Sequence, residues 1–480
     1  MIAMTLSEIA ETVAGVVVND FGGMVTGPAF VDSRSPERGG LFVAVVGERV
    51  DGHDYVDQAL EGGAVAVLSS RDTGKPGVVV DDPVVALGRL ARHVLAGLTG
   101  VQVVALTGSQ GKTGTKDLLA QVLAAHHGAD TVVATRGSFN NEIGLPLTVL
   151  RADSGTRFLV LEMGARHVGD LTASCEVAPP DVSVVLNVGK AHLGEFGSRE
   201  AIAVAKGEVV EALAEGGVAV LNADDPMVAA MAARTAARTV SFGTAEGADV
   251  RFEDVQVDEL GRPTFELLAG VRGARQRTRV SLGLVGEHHV PNATAAAAAA
   301  LTLGMPLDET GSALRAATVV SPGRMAVRER ADGLVVVDDA YNANPDSMRA
   351  ALKALAAIGR GRPGGRTVAV LGEMLELGET SLAEHDAVGR LVVRLDIHQL
   401  VVVGQGARPI HLGASLEGSW GGESVFVPDT DAATEWLRGY LRPDDVVLLK
   451  ASNAVRLGQV ADALLAGDAG GPREGRDPGR

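Results

Sequence analysis

The sequence predicts an α/β chain of three domains followed by a tail. These are a small α/β domain over residues 1–100, a central parallel-sheet domain over 101–317, a Rossmann-like doubly wound domain over 318–466, and the tail at 467–480. Three observations carry this reading. The 480 residues amount to about three domains. From residue 101 onward, short apolar runs that read as buried strands alternate with helical patterns, as in parallel sheets covered on both faces. That rhythm restarts after residue 318, which calls for a second doubly wound unit.

In the first segment, Leu41–Val46 and Ala64–Leu68 read as strands, and Asp81-Asp82-Pro83 opens a helix running to about Leu98. The second begins with the apolar run Val101–Leu106, a buried strand. Further strands are predicted at Phe158–Leu161, Val182–Leu186 and Val218–Leu221, and the more polar, alternating stretch Asp249–Val280 adds antiparallel strands. Ala293–Leu303 is too short to span a bilayer and holds Thr294 and Thr302. Its alanines suit a small-faced helix packed close to a neighbour. In the third segment strands are predicted at Leu334–Val337, Thr367–Leu371, Leu400–Val403 and Val446–Leu449, with a loop at Gly359–Gly365. The tail Gly467–Arg480 is rich in glycine, proline and charge, a composition expected to be disordered. There is no tandem repeat.

Hydrophobic residues make up 46% of the chain but aromatics only 3%, so Val, Leu and Ala must fill the cores. The formal charge of −17, with no basic stripe, disfavours a nucleic-acid partner. An anionic substrate must therefore meet local positive charge. Cys175 is the only cysteine, so no intramolecular disulfide forms, which fits a reducing, cytoplasmic setting. Close to Pro179 and Pro180 and without an adjacent His, it reads as a structural thiol. Met1–Ala10 carries Glu8 and lacks a basic stretch followed by an apolar run, so neither a signal peptide nor membrane insertion is expected.

The chemistry starts at Thr107-Gly108-Ser109-Gln110-Gly111-Lys112-Thr113, between the strand ending at Leu106 and a helical pattern with apolar Leu118, Leu119, Val122 and Leu123. Strand, glycine turn, Lys-Thr and helix form a phosphate cradle. Gly108 and Gly111 let backbone N–H groups turn toward a phosphate, and the helix N-terminus adds positive potential. Lys112 can reach the β- and γ-phosphates, and the Thr113 hydroxyl can hold Mg²⁺. A tight turn would account for one glycine but not for Gly-Lys-Thr at that junction. The central domain is thus P-loop ATPase-like, although Gly-x-x-Gly-Lys-Thr is shorter than the general pattern.

Other candidates lie at later strand ends. Glu162 closes the strand Phe158–Leu161, where a carboxylate beside a phosphate loop can hold Mg²⁺. His192 follows the next strand and reads equally as a metal ligand, a substrate contact or a structural histidine. Lys206, placed at the start of a helix, has a surface salt bridge as its default reading. Asn140 and Asn141, in a glycine-flanked turn, are turn formers or binders of a polar substrate. Asp338-Asp339-Ala340-Tyr341-Asn342-Ala343-Asn344-Pro345 follows the first strand of the third segment. Turn chemistry explains Asn-Pro but leaves the acid pair and Tyr341 for a ligand crevice. Arg324 could reach a phosphate from across that interface, and Lys450, which ends the strand Val446–Leu449, could contribute another positive charge.

Taken together, these runs resemble the Mur ligase family over the whole chain except the tail. Asp32-Ser33-Arg34, Leu41-Phe42-Val43-Ala44 and Gly47 with Asp51-Gly52-His53 are similar to the family's uridine-nucleotide domain. Thr107–Lys116, Asn140-Asn141, Glu162, His192 and Lys206 fall in its motif order. Asp339-Ala340-Tyr341-Asn342-Ala343-Asn344-Pro345 discriminates most, because other branches usually carry Ala-His near this point.

The resemblance implies an ATP-dependent amide ligase of peptidoglycan precursor synthesis. Such an enzyme joins D-alanyl-D-alanine to the terminal carboxylate of UDP-N-acetylmuramoyl-tripeptide, and is expected to act as a cytoplasmic monomer. It further implies that Thr107, Gly108, Ser109, Gln110, Gly111, Lys112, Thr113, Asn292, Arg324, Asp339, Tyr341 and Asn342 bind ATP. Lys112, His192 and Lys206 would be catalytic. Thr113, Glu162 and His192 would serve Mg²⁺, joined by Lys206 if carbamylated as in related ligases. Ser33, Arg34, Asn140 and Asn141 would meet the UDP substrate. Two departures stand out. Gly114 replaces the usual Ser or Thr, and Lys450-Ala451-Ser452-Asn453 replaces a usual Lys-Gly-Ser-Arg, losing a positive charge. The alternatives are a family member adding a single amino acid, and an ATP-binding regulator that forms no bond.

Overall fold

The structure, a computed structural model, describes all residues except 48–49, 190–192, 271–274, 363, 418–419, 421 and 467–480. The predicted tail and His192 lie outside the described residues. Three main sheets follow one another along the chain, each flanked by helices.

The first sheet has five strands in the order Val16–Val18, Gly77–Val79, Ala66–Ser69, Leu41–Val43, Ala29–Phe30, the first pair antiparallel and the rest parallel. Its helices start on sequence-encoded caps. Thr5 and Glu8 form a reciprocal box before Leu6–Val13, and Asp82 accepts from the N–H groups of Val84 and Val85 with Pro83 in the first turn of Pro83–Gly97. Each cap is worth about 1 kcal/mol.

The central sheet has nine strands, in the order Gln276–Ser281, Pro263–Ala269, Val250–Val257, Arg238–Gly243, Val218–Asn222, Val182–Val185, Gln102–Thr107, Phe158–Glu162, Val132–Ala134. From Val250–Val257 to Val132–Ala134 every neighbour is parallel, whereas the outer two pairings are antiparallel, as the alternating stretch Asp249–Val280 predicts. After Gln102–Thr107 the chain fills one side of that strand, then crosses to the other. Its carboxyl end is therefore a switch point, where an open α/β sheet forms its ligand crevice. The helix Lys112–His127 leaves from this end and packs against His289–Thr302. In the latter helix Ala293 and Ala295 to Ala300 are fully buried, confirming the small-faced helix.

The third sheet runs Ala326–Glu329, Val335–Asp338, Val446–Lys450, Thr367–Leu371, Gln399–Val403, Ser424–Val427, parallel apart from its first pair. Cys175 is buried at 4% exposure in the large core shared by the first two sheets.

Two placements differ from the sequence reading. Lys206 sits in the middle of the helix Arg199–Glu211 rather than at its start, because Ser198 caps the helix by accepting from the Ala201 N–H. The helix Pro345–Arg360 runs two residues into the expected loop Gly359–Gly365, since its apolar face remains in register with the core through Ile358. Nine strands among the described residues lacked a sequence signal: Met4–Thr5, Val16–Val18, Met24–Val25, Ala29–Phe30, Gly77–Val79, Val132–Ala134, Arg238–Gly243, Ala326–Glu329 and Ser424–Val427. They are short or carry exposed polar residues, so a buried-run pattern passes over them.

Candidate active site

The phosphate loop sits at the switch point, held by the neighbouring strand's end. Asn187 Oδ1 accepts from the N–H groups of Ser109 and Gln110, both at 3.0 Å, and Asn187 Nδ2 donates to the Gln110 carbonyl at 3.1 Å. The Gly189 N–H donates to Ser109 Oγ at 2.9 Å. Thr107 Oγ1 donates to the Met163 carbonyl at 2.9 Å, tying the loop to the strand on its other side. Gly111 has φ +81, a conformation that favours glycine, and a Cβ there would lie 2.5 Å from Asn292 Oδ1. Asn292 thus lies directly over the loop.

Glu162 is 1% exposed. Its carboxylate accepts from Thr113 Oγ1 at 2.8 Å and from Asn140 Nδ2 at 2.7 Å. Oxygen donors from Thr113 and Glu162 beside a phosphate cradle fit Mg²⁺, a hard cation that takes a few carboxylate or hydroxyl ligands and completes its shell with water and substrate phosphate.

Two lysines converge here. Lys112 Nζ donates to the Gly108 carbonyl at 2.7 Å, so the side chain folds back over its own loop. Burial lowers its pKa; the charge of Glu162 opposes that shift and that of Arg324 adds to it. Lys206 is 3% exposed, and burial first, then the Lys112 ammonium, pushes its pKa well below the usual lysine range. A lysine so placed favours the neutral amine, the form that can add carbon dioxide.

The third segment faces this site. Lys450, 2% exposed, donates to Asp339 Oδ2 at 2.6 Å and to the Asn342 carbonyl at 2.8 Å. Asp339 Oδ1 accepts from the Met325 N–H at 3.1 Å. The Arg324 guanidinium lies 4.5 Å from the centroid of the Tyr341 ring. The positive charge expected from Lys450 is thus committed to Asp339, while Arg324 lines the same wall of the cleft. The central and third segments, with Val31, Val84, Arg89 and Arg92 of the first, line a cleft of about 1940 Å³.

The structure brings Ser109 to Thr113, Asn140, Asn141, Glu162, Lys206, Asn292, Arg324, Asp339, Tyr341 and Asn342 to the walls of this one cleft. Thr107 and Gly108 form the root of the loop. Asn140 grips Glu162, and Asn141 Oδ1 accepts from the Gly144 N–H at 2.9 Å, a turn-forming bond. Ser33 and Arg34 lie outside the cleft lining. Ser33 Oγ donates to Gln58 Oε1, and exposed Arg34 pairs with Asp32 at 2.8 Å. Sequence reasoning missed Asn187 as the strut of the loop. The available signal was its position, an amide at the end of the strand beside the loop strand.

Three profiles of one family match the chain in order: the Mur ligase family catalytic domain at residues 30–94, the Mur ligase middle domain at 106–300, and the Mur ligase glutamate ligase domain at 323–453. The chain belongs to the Mur ligase family, whose members are ATP-dependent amide ligases. It is 50% identical to the UDP-N-acetylmuramoyl-tripeptide--D-alanyl-D-alanine ligase of Mycobacterium tuberculosis, over 98% of this chain and 99% of that protein. Identity to the Escherichia coli ligase of the same name is 34%, over 97% and 99%. Among solved structures, MurF from Acinetobacter baumannii superposes with a TM-score of 0.82 at 31% identity, covering 97% of this chain and 99% of that one. MurF ligase from Thermotoga maritima, solved in complex with ADP, gives 0.76 at 34%, covering 92% and 98%.

Proposed function

We infer that this chain joins D-alanyl-D-alanine to the terminal carboxylate of UDP-N-acetylmuramoyl-tripeptide at the expense of ATP. The observation that carries this is the 50% identity, end to end, to ligases of that name, on a chain whose phosphate loop, Glu162 and Arg324 share one cleft. A carboxylate resists an amine because oxide would have to leave. Transfer of the ATP γ-phosphoryl group to the carboxylate gives an acyl phosphate and ADP. The dipeptide amine then attacks the acyl carbon, a proton is lost, and phosphate departs through a tetrahedral intermediate.

The first step brings two anions together. Lys112, released from the Gly108 carbonyl, lies where it can neutralise the transferring phosphoryl group, with Arg324 facing it from the third segment. Asn292 lies over the loop on the nucleotide side. Thr113 and Glu162 would hold Mg²⁺, with Lys206 as a further oxygen ligand once carbamylated; bound there, the ion would offset phosphate charge. His192 lies outside the described residues, and its assignment as catalytic residue and metal ligand rests on the family motif order. Ser33 and Arg34 are assigned to the uridine-nucleotide end on the same basis.

We place the reaction in the cytoplasm, with the chain acting as a monomer. The single buried thiol suits a reducing compartment, and among the described residues no helix is long and apolar enough to cross a membrane.

A coupled ADP-release assay tests the reading. ADP release should require both the UDP-linked tripeptide and D-alanyl-D-alanine, and single amino acids should not replace the dipeptide. Turnover with a single amino acid would favour another branch of the family, and release independent of the dipeptide would favour a regulator.

A further inference from the structure

Ser138 and Tyr341 stand 203 residues apart, one in the central segment and one in the third, yet their hydroxyls form a hydrogen bond across the cleft. Both residues are half-buried. Each end of this contact is anchored. Tyr341 lies under the Arg324 guanidinium at 4.5 Å, and its N–H donates to the Gly323 carbonyl at 3.2 Å. A Cβ on Gly323, which has φ +65, would lie 3.1 Å from the Tyr341 Cβ, so glycine there permits the close approach of the two strands of chain. On the central side, the Asn140 N–H donates to the Ser138 carbonyl at 2.8 Å, and Asn140 Nδ2 holds Glu162, which in turn accepts from Thr113. An unbroken series of contacts thus runs from Arg324 through Tyr341, Ser138, Asn140 and Glu162 to the phosphate loop.

We propose that the Ser138–Tyr341 contact is an interdomain latch, and that both are positioning residues that hold Arg324 at its working distance from the phosphate loop. The connector between the two segments is already clamped, since Gln121 and the Thr318 backbone exchange two hydrogen bonds of 3.0 Å. Besides the connector, the two segments meet where the helix Leu193–Phe196 packs against Gly378–Thr380 and where Val285 joins the third segment's core; inside the cleft, the hydroxyl pair opposes rotation of the third segment. Arg166 and Glu376, 3.3 Å apart, bridge the same two segments at a more exposed point, where screening by water weakens an ion pair. The hydroxyl pair is the contact directly joined to Arg324.

The test is a double-variant cycle on the full chain. Turnover tests this within the ligase reading, whereas domain closure, measured by small-angle X-ray scattering with and without ADP, does not depend on which amine is joined. Tyr341→Phe keeps the ring under Arg324 and removes only the hydroxyl; Ser138→Ala removes its partner. Each should lower kcat by roughly tenfold, the scale of one hydrogen bond, and leave KM for the dipeptide unchanged. The double variant should be no slower than either single one, because one bond is lost in all three. Ser138→Thr should restore kcat. Scattering should show a larger radius of gyration with ADP in both single variants than in the parent, with unchanged circular dichroism. Multiplying effects near 100-fold, a neutral Ser138→Ala beside an impaired Tyr341→Phe, or unchanged closure would each overturn the latch.

Discussion

Lys450→Met isolates the buried ion pair behind the active-site wall. Lys450 ends its strand one step beyond the Asp338–Leu449 pair, in register with Asp339, which follows the neighbouring parallel strand. The ammonium makes two short contacts, 2.6 Å to Asp339 Oδ2 and 2.8 Å to the Asn342 carbonyl, at 2% exposure. Methionine preserves most of the volume and apolar stem but leaves the Asp339 carboxylate, among the described residues, with the Met325 N–H as its hydrogen-bond donor. Removing one partner of a buried pair costs about 3–5 kcal/mol. A domain of this size loses about 2–4 °C of melting temperature per kcal/mol, so the midpoint should fall on the order of 10 °C. Differential scanning calorimetry of the full chain reads this directly. Adding Asp339→Asn should recover part of the loss, because no buried charge then lacks a partner. A Lys450→Met midpoint within about 2 °C of the parent would refute the reasoning, as would a double variant that melts no higher than the single one.

Three further outcomes are expected. Lys112→Ala should retain the parent's circular dichroism and melting behaviour but lose at least ~100-fold in kcat, the scale of one electrostatic contact in the transition state; near-normal ADP release would sink its role. Gly111→Ala should weaken ADP binding by calorimetry, because the new Cβ displaces Asn292. Gly100→Ala, at φ +80 with nothing within 4 Å, is the matched control and should show only backbone strain of about 1 kcal/mol, with ADP affinity intact. Cys175, its thiol pushed up to about 12 by burial and then by Glu208, is almost wholly protonated at pH 8. In the native protein it should react with a disulfide reagent at least ~1000-fold more slowly than an ordinary thiol of pKa about 8.5. Rapid native labelling would contradict its burial.

Much of the site was legible because its chemistry is local. Gly-Lys-Thr after an apolar run placed the loop, and Glu162 and Asp339 announced themselves as carboxylates at strand ends. Long, continuous apolar runs such as Thr367–Leu371 were equally plain. What escaped depends on partners distant in sequence. The strand Ala326–Glu329 shows two charged residues in four and is defined by pairing with Val335–Asp338. Asn187 becomes a strut only because the sheet order sets it beside the loop 77 residues earlier. Lys450 reads as a free cation until the third sheet places it against Asp339. Lys206 was seen as a lysine near a helix start, but its lowered pKa follows from burial on a face that no local pattern marks.

The run of alanines over the phosphate-loop helix has a mechanical consequence. Alanine has no side-chain dihedral, so the His289–Thr302 side of this seam has no rotamers to exchange when it is stressed, and what can reorient is confined to Leu118, Leu119, Val122 and Leu123 in the same core. Asn292 rides on this same helix, one residue before the buried alanines begin. Its height above Gly111 is therefore set as by a shim of fixed thickness. An Ala→Val in that run on the side facing the phosphate-loop helix should shift the amide relative to the loop without touching a polar atom.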